Sequence, residues 1–98
     1  MSEIQPLSAV QVEQALQSLP GWVWSDDMLC KSFTFSDFVA AFSFMTKVAL
    51  HAEKRDHHPN WSNVFNRVEI CLTTHDAGNK VTVRDTAMAR AIEDVAKL

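Results

Sequence analysis

Asn63-Val64-Phe65-Asn66-Arg67-Val68-Glu69-Ile70-Cys71-Leu72-Thr73-Thr74 is the stretch on which the fold turns. Val64, Val68, Ile70 and Leu72 fall on one parity, and Phe65, Arg67, Glu69, Cys71 and Thr73 on the other. Period-two alternation of this length, rich in β-branched residues, predicts one long strand with a buried and an open face. On its C-terminal side, Asp76-Ala77-Gly78-Asn79 reads as a turn, and Lys80 to Val83 as a short further strand. Thr82-Val83-Arg84-Asp85 has capping-box spacing and opens a helix whose stripe is Met88, Ala91, Ile92 and Val95.

Working the other way, Pro59 separates the strand from a helix that runs to about Lys54. Ser36 caps that helix, Asp37 complements the positive end of its dipole, and Phe38, Phe42, Met45, Ala49 and Ala52 form its buried face. Before it, Trp22-Val23-Trp24, the Ser25-Asp26-Asp27 turn and the alternating run Leu29 to Phe35 predict a two-stranded hairpin. A first helix starts at the Ser8–Gln11 capping box, carries Val12, Ala15, Leu16 and Leu19 on one stripe, and stops at Pro20-Gly21. The order is α-β-β-α-β-β-α. It predicts an α+β fold: a four-stranded antiparallel sheet with the helices packed on one face. The other face then lacks cover, which predicts a homodimer or homotetramer.

At 98 residues the chain is read as one domain, 1–98. A net charge of −3 argues against a protein that grips phosphate backbones, and so against nucleic acid as partner. No apolar run reaches membrane-spanning length, and Met1 to Pro6 lacks the basic and apolar regions of a secretion signal. The expected address is the cytoplasm. Cys30 and Cys71, far apart and without CxxC spacing, are read as reduced, partly buried thiols.

The four histidines lie between positions 51 and 75. His57-His58-Pro59 follows the second helix, and His75 ends the long strand. Loops between rigid elements carry chemistry, although a His-His pair on a loop is also ordinary solvated surface. Glu53 and Lys54 read by default as surface helix charges, Asp85 as a capping residue and Trp61 as core. A zinc site finds no HExxH or CxxC to support it, and nucleophilic catalysis finds no GxSxG. What remains is general acid–base work by imidazoles.

Ala52-Glu53-Lys54-x-x-His57-His58-Pro59-x-Trp61-x-Asn63-Val64-Phe65-Asn66-x-Val68 resembles the signature of the pterin-4a-carbinolamine dehydratase family. The likeness continues through Thr73-Thr74-His75-Asp76-Ala77-Gly78 and Thr82-x-x-Asp85, and upstream through Gly21-Trp22 and Phe33-Thr34-Phe35. The Gly78–Asp85 stretch is about a residue longer than the family's pattern, a departure that bears on Asp85. The resemblance implies a four-stranded antiparallel sheet with helices on one side. It also implies dehydration of 4a-hydroxytetrahydropterin (4a-hydroxytetrahydrobiopterin) to quinonoid dihydropterin, which recycles the tetrahydropterin. Neither metal nor organic cofactor is called for. His57, His58 and His75 become the expected catalytic residues, with Glu53, Trp61 and Asp85 expected around the substrate. Some animal members of the family also bind a transcription factor, so a protein-binding dimerisation module is the alternative.

Overall fold

The computed structural model describes residues 4–97. Among them the helices are α1 (Ala9–Leu16), α2 (Phe38–Arg55) and α3 (Val83–Ala96), and the strands are β1 (Val23–Ser25), β2 (Met28–Thr34), β3 (Asn60–Val64) and β4 (Arg67–Leu72). The chain order is the expected α-β-β-α-β-β-α. All strand pairings are antiparallel, in the order β1-β2-β4-β3.

The two hairpins explain the sheet. Between β1 and β2, Asp26 and Asp27 both adopt positive φ (53° and 61°), the backbone twist that suits a two-residue hairpin turn. Between β3 and β4 the chain reverses at Phe65-Asn66, inside the stretch expected to be one strand. Asn63 donates through Nδ2 to the carbonyls of Phe65 (3.1 Å) and Arg67 (2.9 Å), and Phe65 takes φ 51°. Asn66 pins the turn to the end of β2, donating to Phe35 O while its own carbonyl accepts from Phe35 N. Asparagine side chains that bond nearby backbone are turn chemistry, and here they override the alternation. The fold-back places Val64 opposite Arg67 on the open face, whereas Trp61 lies opposite Ile70 against the core.

The expected strand at Lys80–Val83 is likewise absent. Only an isolated bridge, Thr74 to Lys80, remains, because the chain turns into α3 at once.

Leu29 and Phe33 of β2 and Val68, Ile70 and Leu72 of β4 point to the helices and are buried. Met88, Ala89, Ile92 and Val95 of α3 and Val12 and Leu19 from the N-terminal region complete the core. Each fully buried large aliphatic side chain contributes about 1.5–3 kcal/mol. On this face Lys31 reaches Glu93 (2.7 Å) and Pro20 O (2.9 Å), and Glu93 also accepts from Trp22 Nε1. Gly21 makes room for that lysine: at φ 88°, an added Cβ would stand 2.8 Å from Lys31 Cε.

The buried face of α2 matches the expected one only at Ala52 and, in part, Met45. Ala41, Phe44, Val48 and Ala52 enter the core, Met45 is half-buried, and Phe38, Phe42 and Ala49 face outward. The helix carries two apolar stripes, and contact with α3 and β4 selects one. Its N-cap is Asp37, which accepts from Ala40 N (2.7 Å), rather than Ser36.

The cysteines were expected to be reduced, and the structure instead joins Cys30 and Cys71 in a disulfide. They are directly opposed residues of β2 and β4 on the open face, with Cα atoms 4.1 Å apart. Their separation of 41 residues in sequence hides that pairing.

Candidate active site

α2 ends with Asp56 in the left-handed region (φ 50°), its N–H donating to Glu53 O, while His57 N–H donates to Ala52 O (3.0 Å). This paired C-terminal closure fixes the backbone from which His57 and His58 project. His57 turns inward and is 8% exposed, and His58 turns out. His75 begins a short 3-10 turn (His75–Ala77), separated from the end of β4 by Thr73 and Thr74 and closed by Ala77 N–H to Thr74 O and Asn79 N–H to Thr74 O. α3 starts beside them. Thr82 is its N-cap, and Asp85 accepts from Thr82 N–H (2.9 Å) as the capping box requires.

These three chain ends form a cavity of about 250 Å³. His57, His58 and His75 line it, with Asp56, Asp76, Arg84, Thr73 and Thr74 as the rest of the wall. His57 Nε2 lies 2.6 Å from Asp85 Oδ1 in a buried pair. Asp85 is fully buried, and its Oδ2 accepts from Thr74 Oγ1 (2.7 Å) as well as from Thr82 N–H. Thr74 and Thr82 hydroxyls are themselves 2.7 Å apart, and Thr82 Oγ1 accepts from Arg84 N–H.

Thr74 O–H donates to Asp85, so Thr82 O–H donates to Thr74, and the Asp85 carboxylate, an acceptor at both oxygens, takes its remaining hydrogen from His57 Nε2. His57 therefore keeps its hydrogen on Nε2. Nδ1 makes no hydrogen bond among the described residues.

The other two histidines are held more loosely. His58 Nε2 donates to Glu53 Oε1 (2.9 Å), but both side chains are well exposed. His75 Nδ1 lies 3.3 Å from Asn79 Oδ1 at the surface.

The structure thus brings His57, His58 and His75 together. It puts Asp85 behind His57 and Glu53 beside His58, so these two touch histidines rather than the cavity. Trp61, expected as a wall for the ligand, does not line the cavity; it packs half-buried against the core. Across the longer Gly78–Asp85 connection, the capping box with Thr82 holds Asp85 in the first turn of α3. Thr74 and Arg84 went unremarked as site residues. Thr74 sits next to His75 and Arg84 inside the capping box, and neither position has a local signal that it faces a cavity.

The family described as "Pterin 4 alpha carbinolamine dehydratase" matches residues 5–95. A relative from Rhizorhabdus wittichii is 58% identical over 96 residues, covering 96% of this chain and 98% of its own. One from Rhodopseudomonas palustris is 52% identical over 95 residues, covering 95% and 93%. Both are named provisionally as pterin-4-alpha-carbinolamine dehydratases. A crystal structure from Brucella melitensis, described as a transcriptional coactivator/pterin dehydratase, superposes with a TM-score of 0.89 at 44% identity, over 93% of this chain and 98% of that one. With likeness over nearly the whole length in both sequence and fold, the chain belongs to the pterin 4 alpha carbinolamine dehydratase family.

Proposed function

We propose that the protein dehydrates 4a-hydroxytetrahydropterin to quinonoid dihydropterin and water, returning an oxidised tetrahydropterin to a form ready for reduction. The observation that carries this reading is the convergence of His57, His58 and His75 on one polar cavity. In the reaction the C4a hydroxyl leaves as water after accepting a proton. The N5 lone pair forms the new C=N bond, and N5 gives up its hydrogen. No electrons are exchanged with an outside partner, so a proton donor and a proton acceptor suffice.

His57, through Nδ1, and His75 form that pair. Asp85 is a positioning residue that fixes the His57 tautomer, and His58, steadied by Glu53, orients the ring. The test is the ultraviolet absorbance change when chemically generated 4a-hydroxytetrahydropterin meets the protein. His57→Ala and His75→Ala each lower turnover by about 10²–10⁴ with the fold intact. No acceleration by folded wild type overturns the reading.

The chain also self-associates in this proposal. Val39, Phe38 and Phe42 remain 71%, 48% and 55% exposed on α2, with the two phenyl rings 5.8 Å apart. Clustered exposed apolar residues mark interaction surfaces. The same surface supports a second reading as a protein-binding module, which predicts that a partner binds equally well after the histidines are removed.

A further inference from the structure

His57 and Arg84 each border two cavities. Besides the one shared with the other histidines, they line a second of about 300 Å³ together with Arg55, Val83 and Ala87. The two cavities differ in chemistry. The first carries Asp56 and Asp76 among its histidines, whereas the second has no carboxylate in its lining and two guanidinium groups. Arg55 makes no ion pair among the described residues, and the nearest acid to Arg84 is Asp76, at the long distance of 4.0 Å. In a chain of net charge −3, this is a local concentration of positive charge, with Arg55 unpaired among the described residues and Arg84 paired only at that long distance. Val83, 60% exposed, and Ala87 provide the apolar part of the same lining.

A ring held by the histidines has its substituent to place. A carbon chain can lie along Val83 and Ala87 and end at the arginines, whose planar forks bind carboxylate or phosphate bidentately. We infer that the second cavity is a subsite for an anionic C6 side chain, so that the preferred substrate is a 4a-hydroxytetrahydropterin whose C6 chain ends in a phosphate or carboxylate. This rests on the dehydratase reading for the identity of the ring. Arg55 and Arg84 then determine specificity without taking part in the elimination.

The experiment compares three 4a-hydroxytetrahydropterins: one with a neutral polyhydroxypropyl chain at C6, one with that chain phosphorylated at its end, and one with it oxidised to a terminal carboxylate. Wild type is expected to show kcat/KM about tenfold higher for an anionic form, carried by KM, with the advantage shrinking as salt rises. Arg55→Gln reduces the ratio of anionic to neutral kcat/KM towards one, and Lys54→Gln, one residue away but outside the cavity, leaves it unchanged. The phosphate and carboxylate arms tell which anion is favoured. Equal kcat/KM for all three substrates, or an advantage that survives Arg55→Gln, overturns the subsite while leaving the dehydratase reading in place. Should no substrate be turned over, that reading fails by itself. Calorimetric binding of stable 7,8-dihydropterins bearing the neutral and phosphorylated chains then decides the subsite: about tenfold tighter binding of the phosphorylated form sustains it, and equal binding overturns it.

Discussion

Asp85 serves two structures with its two oxygens, closing the first turn of α3 with one and holding His57 with the other. Because both acts are buried, the carboxylate is fixed by the same bonds that fix the helix, and the imidazole inherits that rigidity. The Glu53–His58 pair has a similar length, but it stands in water, where such pairs contribute little. The two should therefore respond differently to the same isosteric change. Asp85→Asn presents an amide where an acceptor is needed and disturbs the tautomer, so turnover should fall by about 10²-fold or more. Glu53→Gln should change it by only a few-fold. Parallel turnover measurements on the two variants check this; equal losses would mean that burial does not set the importance of each partner. The histidines, Glu53 and Asp85 were all legible from their motif, and Asp85 also from capping spacing. That one carboxylate performs both tasks was not, because 28 residues separate it from His57.

Among the elements, the β3–β4 hairpin shows where periodicity misleads. Alternation marks each residue's parity but not the point at which a chain doubles back, and Asn63 and Asn66 supplied a turn within an unbroken β-favouring run. Asn63→Ala removes two side-chain bonds to the turn carbonyls. A loss of about 1–2 kcal/mol in urea unfolding is expected. An unchanged midpoint would show that the asparagine bonds do not hold the reversal. α2 teaches a related lesson. Two apolar stripes share one helix, and nothing local ranks Phe44 above Phe42. Capping fares better, since Ser8–Gln11 and Thr82–Asp85 each form as expected from contacts three residues apart.

For the whole molecule, the stripe of α2 left outside bears on assembly. Phe42→Glu, 55% exposed and outside the core, should convert an oligomer to monomer in sedimentation while the fold persists. A monomeric wild type would sink the self-association proposal. The Cys30–Cys71 disulfide ties the central strand pair across 41 residues. Its reduction should lower stability by about 2–4 kcal/mol. Urea unfolding with and without a reducing agent measures this, and identical curves would show that the crosslink adds nothing.

What the sequence alone determined is what depends on near neighbours along the chain: the helix starts at Ser8 and Thr82, the Asp26-Asp27 turn, the order of elements, the family signature and the residues able to move protons. Those features rest on hydrogen bonds and side-chain periods that span only a few residues. Tertiary structure decided which stripe of α2 is buried, which cysteines meet and which nitrogen of His57 is free. It also decided that His57 and Arg84 border a second, cationic cavity. Each of these depends on contacts between segments far apart in the chain, chosen by how the helices close over one face of the sheet.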